Sequence, residues 1–250
     1  MFDADGYAGR VLGARRARQS TGALPGAPGT ADEAIAAQVA LARRLGAWPP
    51  AGFKVGATAR AMQAYLRLDG PLASFMAEAD LHGSGSTVRW DGLRNPGAEC
   101  ELAVVLAHPL PGPCTPAEAA AAVGDVMPAI EIVENRGADT ALPMLADGVF
   151  HRAAFLGEPW ADWRGMDLHA LPGRMTVNGA ERGRGVGADL LGGPMECLAW
   201  LAGSAEARAY GGLQAGQVVM LGSVCPPAWL DGPARVAVEF GGRVVTVELV

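Results

Sequence analysis

The chain has 250 residues, of which half are hydrophobic and 18% are charged, and its formal net charge at pH 7 is −6. This length suits one domain with a substantial core, and the negative charge argues against nonspecific nucleic-acid binding, which needs phosphate-neutralising bases. No stretch reaches the roughly 18 unbroken apolar residues of a membrane span, and no signal peptide is apparent, so we expect a cytoplasmic protein that does not bind membranes.

The first 50 residues predict helices. Residues 15–18 could open one helix, and residues 22–29 contain three glycines and two prolines, which is typical of a linker. Thr30-Ala31-Asp32-Glu33 is a capping box that begins a second helix, and this helix should stop at Gly46. A third helix is expected to open at Thr58.

Strand patterns dominate from residue 88 onward. Alternating or β-branched runs predict strands at 88–90, 99–107, 129–133, 153–156 and 174–177. Two helices are expected among them, at 115–123 and 194–205. The chain ends in a predicted hairpin, with Gly241-Gly242 as its two-residue turn. Helices first and strands mostly after indicate an α+β fold.

Three glutamates stand out within two of these strands. Glu99 and Glu101 are two residues apart, so they project from the same face of a strand, and Glu131 could face them from a second strand. Buried carboxylates cost several kcal/mol each unless they are paired. A hard divalent cation is a natural partner, because Mg²⁺ needs only a few carboxylates besides substrate and water. The alternative is three half-exposed acids on an edge strand.

Lys54 lies between Phe53 and Val55 in a short apolar strand. Burial would favour the neutral amine and lower the pKa of Lys54, whereas nearby carboxylates would oppose this effect. The pattern allows a catalytic lysine, but by itself it favours a lysine whose ammonium extends into water.

An ordered set of motifs resembles a known family. The motifs are, in chain order, Gly52-Phe53-Lys54-Val55-Gly56, Leu68-Asp69-Gly70-Pro71, the Glu99/Glu101 strand, Pro128-Ala129-Ile130-Glu131-Ile132-Val133-Glu134-Asn135-Arg136 and Leu221-Gly222-Ser223. This order and spacing resembles the 2-keto-4-pentenoate hydratase and 4-oxalocrotonate decarboxylase branch of the fumarylacetoacetate hydrolase superfamily, over roughly residues 30 to 250. The resemblance implies a fumarylacetoacetase C-terminal-like mixed β-roll over residues 51–250, preceded by a helical N-terminal segment over residues 1–50. We also expect a homo-oligomer.

The resemblance further implies a chemistry. Glu99, Glu101 and Glu131 would hold Mg²⁺ or Mn²⁺, which binds a small 2-oxo acid substrate and stabilises its enolate. Lys54 and Asp69 would be the catalytic residues that move protons. The implied activity is that of a lyase, a hydratase or a decarboxylase, on a short 2-hydroxy-dienoate or 2-oxo-enoate.

Three further residues are implied in substrate binding, namely Arg136, His151 and Ser223. The family's small polar run is replaced here by residues 148–152, where Phe150 and His151 are expected to reshape the pocket. This departure leaves two alternatives open. One is a hydrolase that cleaves a C–C bond of an acylpyruvate-like substrate with His151 as its base. The other is a repurposed or non-catalytic member of the superfamily.

Overall fold

A computed structural model describes the protein over residues 1–250, apart from the side chains of Ala61, Tyr65 and Leu66. Its helices are α1 (Ala4–Arg16), α2 (Ala31–Arg44), α3 (Arg60–Leu66), α4 (Pro116–Ala122), α5 (Ala141–Ala146), α6 (Pro194–Gly203) and α7 (Ala205–Ala209). Its strands are β1 (Gly52–Gly56), β2 (Leu72–Met76), β3 (Leu81–Gly83), β4 (Ser86–Val88), β5 (Pro96–Leu106), β6 (Val123–Glu134), β7 (His151–Leu156), β8 (Pro172–Val177), β9 (Ala180–Val186), β10 (Val218–Ser223), β11 (Ala228–Trp229), β12 (Ala234–Phe240) and β13 (Arg243–Leu249). None of the described helices has both the length and the apolar character that crossing a membrane requires.

A mixed sheet of eight strands forms the body of the molecule. Its order is β2-β1-β10-β5-β6-β7-β3, and β11 pairs with β5. β1 runs parallel to β10, and β3 runs parallel to β7, whereas the neighbouring pairs are antiparallel. The sheet curls until β2, near one edge, contacts β7, near the other. The predicted α+β fold with a mixed β-roll is therefore confirmed.

A second sheet covers the outside of the roll. Its five strands have the order β4-β13-β12-β8-β9, and β12 and β13 form the predicted terminal hairpin. This sheet packs on β5 and β6. Alternate residues of β5, among them Cys100, Leu102 and Val104, are fully buried in the main core. The residues between them, Glu99 and Glu101, consequently lie on the inner face of the roll.

The N-terminal helices pack together beside the roll. α1 packs on α2, and α2 contacts α5 and α7. The side-chain oxygen of Thr30 accepts a hydrogen bond from the N–H of Glu33 at 3.2 Å, so the predicted cap of α2 is confirmed. Inside, the amide of Gln38 donates to the carbonyls of Ala73 and Leu145 at 3.0 and 2.8 Å, which ties α2 to the sheet and to α5.

Two helices begin at other residues than the sequence predicts. α1 begins at Ala4, because Asp3 caps it by accepting from the N–H of Gly6 at 2.9 Å. Arginines 15 and 16 therefore end this helix, where positive charge favours the helix dipole. α3 begins at Arg60 rather than at Thr58, since Thr58 is buried in the segment before the helix.

Candidate active site

Three glutamates meet on the inner face of the roll. In the antiparallel pairing of β5 with β6, Glu99 lies directly opposite Glu131, and Glu101 follows two residues along the same face. One carboxylate oxygen from each residue lies within 4.8 Å of the other two. Glu101 and Glu131 are fully buried, and Glu99 is partly exposed. We call Glu99, Glu101 and Glu131 the glutamate cluster.

The only lysine of the chain lies beside this cluster. Lys54 is 2% exposed on β1, and its Nζ lies 3.4 Å from Oε2 of Glu131. Burial favours the neutral amine, but the negative charges of the glutamate cluster outweigh it and raise the pKa of Lys54 above its usual value. The alternative of an ammonium extended into water does not fit a side chain buried to this degree.

The cluster contains more carboxyl groups than one ammonium can neutralise. Burial and the charge of Glu131 raise the pKa of Glu99 to about 8, and the same causes raise the pKa of Glu101 well above its usual range. Burial also disfavours the charge of Glu131. Lys54 and His151 outweigh that burial and lower the pKa of Glu131 to about 2. The negative charge of the cluster is thus concentrated on Glu131.

The oxygens of the cluster fit a hard divalent cation. Oε1 of Glu101 and Oε2 of Glu131 are buried and have no hydrogen-bond partner among the described residues, and Oε2 of Glu131 has only the ammonium of Lys54 at 3.4 Å. The other oxygen of Glu101 accepts from the N–H of Gly222 at 2.8 Å. A buried oxygen without a hydrogen bond is costly, and Mg²⁺ and Mn²⁺ prefer oxygen ligands. Both the donor type and the oxygens without hydrogen bonds therefore suit such a cation.

A cavity of about 790 Å³ opens beside the cluster, and we call it the entry cavity. Its lining comprises Glu99, Arg184 and residues from three segments, 55–62, 188–192 and 223–227. Gly222, next to this lining, has a φ of +94°, and a Cβ there would lie 2.6 Å from Cγ2 of Thr58. Only glycine tolerates both this positive φ and this close approach of Thr58. The position of the N–H that binds Glu101 therefore depends on Gly222.

Ser223 lines the entry cavity, but its hydroxyl already has two partners. Its Oγ accepts from the N–H of Cys100 at 2.9 Å and donates to the carbonyl of Cys225 at 2.7 Å. These bonds bridge the point where the register of β10 on β5 shifts. Contact between Ser223 and substrate stays a prediction, and it would require the hydroxyl to exchange one of these partners.

His151 lies against Glu131 instead of facing the entry cavity. Its Nδ1 is 2.7 Å from Oε1 of Glu131, and its Nε2 is 3.8 Å from Oδ2 of Asp80. A register shift between Ile132 and Val133 turns the start of β7 toward Glu131. Neither His151 nor Phe150 is among the described residues that line the entry cavity, so the predicted contact with substrate does not fit their placement.

Arg136 is the centre of a separate buried ion-pair network. Its Nε donates to Oδ2 of Asp147 at 2.7 Å, and its Nη1 donates to Glu134 at 3.2 Å. Arg15 and Thr21 also donate to the carboxylate of Asp147, at 2.6 and 2.7 Å. Burial opposes the charge of Asp147, but the two guanidiniums lower the pKa of Asp147 below its usual value. We call these five residues the Asp147 network.

The same arginine holds the turn that leads into β7. Gly148, Val149 and Phe150 all have positive φ values, of +67°, +51° and +64°, which is unfavourable for the two non-glycine residues. Arg136 donates to the carbonyls of Asp147 and His151 at 3.0 and 3.3 Å, on either side of them. Arg136 is 2% exposed and fully engaged, so its predicted role with the substrate carboxylate does not fit, and it supports the backbone instead.

Asp69 lies apart from the cluster. It is exposed in the loop between α3 and β2, and its charge is not among those that shift the pKa of Lys54. Its role in catalysis stays a prediction.

Sequence reasoning missed Asp80, which approaches His151, and Arg15, which binds Asp147. No local signal marks either residue, since their partners lie 71 and 132 residues away along the chain.

Comparison with known proteins assigns the family. Residues 52–249 match the model of the family described as fumarylacetoacetate (FAA) hydrolase, C-terminal. The chain belongs to the fumarylacetoacetate hydrolase family. In this member the matched range starts at β1, after α1 and α2, and it includes Lys54 and the whole glutamate cluster.

Alignments with relatives of this family member cover most of its length. The 2-hydroxyhexa-2,4-dienoate hydratase of Comamonas testosteroni is 32% identical over 181 residues, which cover 70% of this chain and 68% of the relative. The 4-oxalocrotonate decarboxylase of Pseudomonas putida is 29% identical over 195 residues, with 76% and 74% covered. A structure of 4-oxalocrotonate decarboxylase from Pseudomonas putida G7, complexed with magnesium and adipate, has a TM-score of 0.88 at 24% identity and covers 99% of this chain and 97% of its own. This likeness shows the shared fold.

Proposed function

We propose that this protein is a divalent-metal-dependent lyase, a hydratase or decarboxylase, that acts on a short 2-hydroxy-dienoate or 2-oxo-enoate. The observation that carries this proposal is the glutamate cluster beside the entry cavity. It contains buried oxygens without a hydrogen-bond partner among the described residues, and one buried ammonium lies against it. The relatives named hydratase and decarboxylase support the same reaction class.

Glu99, Glu101 and Glu131 would hold the cation, Mg²⁺ or Mn²⁺. When bound, such a cation supplies Lewis-acid polarisation of a 2-oxo group and stabilises the negative charge that develops on its oxygen. Glu99 is the cluster member that lines the entry cavity, so we expect substrate to approach the cluster from its side.

Lys54 would hold and move the proton at its Nζ. The ammonium is buried and points at the cluster, which leaves little room for water to compete for its proton. A positioned acid–base group typically contributes a factor of about 10² to 10⁴ to the rate. Because burial and the carboxylates act on its pKa in opposite directions, a loss of negative charge from the cluster would lower the pKa of Lys54.

The hydrolase alternative loses its candidate base in this arrangement. His151 would need one ring nitrogen directed at a water molecule in the entry cavity. Its Nδ1 instead contacts Glu131, and its Nε2 lies near Asp80. The structure therefore offers support for the lyase and none for His151 as a water-activating base.

The test is an assay of purified protein on 2-hydroxypenta-2,4-dienoate and on 4-oxalocrotonate, with Mg²⁺, with Mn²⁺ and with EDTA. We expect turnover of at least one substrate, loss of turnover in EDTA, and loss in Glu101→Gln with either metal. Glu239→Gln, at a half-exposed glutamate of β12 outside the cluster, is the matched control. Turnover that persists in EDTA, or cleavage of an acylpyruvate alone, would contradict the proposal.

Three expectations accompany this function. The division into a helical segment over residues 1–50 and a catalytic domain over residues 51–250 agrees with the range of the family match. A homo-oligomer and a cytoplasmic location stay predictions, which light scattering and cell fractionation would test.

A further inference from the structure

A second cavity lies on the other side of His151. Its volume is about 400 Å³, within the range of small-molecule sites. It shares no lining residue with the entry cavity among the described residues. Six arginines line it, and we call it the arginine cavity: Arg15, Arg16, Arg18, Arg94, Arg136 and Arg152.

The arginine cavity has an excess of positive charge. Two carboxylates, those of Asp80 and Glu134, are among its described lining residues, and Asp147, outside the lining, pairs with Arg15 and Arg136. Six arginines therefore stand against three carboxylates, in a chain whose formal net charge is −6. A concave site lined by charges of one sign focuses the electrostatic potential and attracts the opposite charge.

Several donors in this cavity have no carboxylate partner. Arg18 and Arg94 donate to backbone carbonyls, at 2.8 and 2.9 Å. The Nε of Arg94 is buried without a hydrogen-bond partner in the described structure. Nε2 of His151, on a side chain that is 6% exposed, also has no hydrogen-bond partner there, and because Nδ1 faces the carboxylate of Glu131, Nε2 is a donor only when the ring carries both protons. Buried donors without acceptors are rare and costly.

Part of the cavity wall is apolar. Leu12, Leu45, Phe75 and Ala77 contribute to its lining. A small inorganic oxyanion would leave this wall exposed to water, whereas an organic acid would cover it with carbon. Arginine binds carboxylates through two parallel hydrogen bonds, which gives both charge and geometric complementarity.

We propose that the arginine cavity binds a small organic dicarboxylate, at a site separate from the glutamate cluster. Arg94 and Arg152 bind its carboxylates at the partly exposed side of the cavity, and the apolar wall contacts its carbon chain. His151 forms the partition, with Nδ1 on Glu131 and Nε2 toward the ligand. This proposal stands independently of the reaction assigned above.

The first test is calorimetric titration of the full-length protein with succinate, with acetate and with inorganic phosphate. We expect succinate to bind one site per chain, more tightly than either other anion, and equally well with Mg²⁺ or EDTA. Binding that requires Mg²⁺ would place succinate at the glutamate cluster and overturn the proposal. Phosphate binding as tight as succinate binding would overturn the assignment to a dicarboxylate.

Variants locate the site. Arg94→Gln should weaken succinate about tenfold or more, the effect of removing a charged hydrogen bond. Arg152→Gln gives a second measurement, because its guanidinium is exposed and makes only a 3.9 Å ion pair with Glu134. Arg208→Gln, an exposed arginine of α7 outside both cavities, is the matched control. Unchanged affinity in both cavity variants would overturn the proposal.

An independent readout uses the four histidines of the chain. In protein labelled with ¹⁵N-histidine, succinate should shift the ring signals of His151, which Asn substitution identifies. His108 and His169, which lie outside the arginine cavity, should not move. A shift at those residues without one at His151 would place the ligand elsewhere.

Discussion

The glutamate cluster and the Asp147 network are two buried groups of charge, and they are built in opposite ways. In the network, both oxygens of Asp147 accept from donors, two of which are guanidiniums. In the cluster, three carboxyl groups share one ammonium, and two of their oxygens have no hydrogen-bond partner among the described residues.

The difference separates a structural role from a functional one. A fully paired buried network rigidifies its surroundings, and the Asp147 network joins α1 to the turn before β7 in this way. A buried group of charges that lacks some of its hydrogen-bond partners can still bind a ligand, and its members have strongly shifted pKa values. Burial alone does not distinguish the two, since Arg136 and Lys54 are both 2% exposed.

The strongest test of this distinction is Lys54→Met. We expect kcat to fall by a factor of about 10² to 10⁴, because a positioned acid–base group is lost. With saturating Mg²⁺ the urea midpoint should change little, since the cation compensates the buried charge of Glu131 that loses its ammonium, and methionine keeps the length of the side chain. Activity within threefold of wild type would remove Lys54 from the mechanism.

The matching substitution in the network is Arg136→Met. It leaves the buried carboxylate of Asp147 with one cation fewer, so we expect a loss of about 3–5 kcal/mol in the free energy of unfolding. Urea denaturation measures it, with Arg174→Met, which breaks an exposed ion pair with Glu239, as the control. A rise in KM without loss of stability would instead return Arg136 to the substrate site.

The two groups should also differ in their response to pH. The pKa of Glu99 is raised to about 8 in the folded protein from an ordinary 4.5. The folded protein therefore keeps a proton that the unfolded chain releases, so stability is greatest below pH 4.5 and is lost as the pH rises toward 8. One such proton gives a slope of up to about 1.4 kcal/mol per pH unit.

Urea titrations of metal-free protein at several pH values between 5 and 8 measure this slope. Glu131, with a pKa lowered to about 2, titrates outside that range. Glu99→Gln should flatten the dependence, and Mg²⁺ should restore stability at pH 8 by neutralising the carboxylates. A slope that Glu99→Gln leaves unchanged would show that Glu99 is not its source.

The smallest expected effect concerns His151, whose Nδ1 contacts Oε1 of Glu131. Removing a hydrogen-bond partner of a metal ligand typically weakens metal binding about 10- to 100-fold. We expect His151→Ala to have this effect on Mg²⁺ affinity, measured by calorimetry, and His151→Asn to recover part of it. His108→Ala, an exposed histidine, is the control, and equal affinities in both alanine variants would contradict the role.

The sequence predicts elements of this fold whose signals are local. The two-residue spacing places Glu99 and Glu101 on one face, and alternation around Gly241-Gly242 predicts the last hairpin. The Asp147 network is not predictable in this way, because Arg15 and Asp147 are 132 residues apart. The family resemblance predicts His151 at the substrate pocket, but a register shift that the sequence does not reveal turns it toward Glu131.

The single lysine has a practical consequence for labelling chemistry. Apart from the terminal amine, Nζ of Lys54 is the only primary amine that an acylating reagent can modify. Its 2% exposure makes modification depend on transient opening of the protein around it. The rate of amide formation at this one atom, followed by intact-protein mass spectrometry, therefore reports how often the interior of the roll becomes accessible, without any engineered probe.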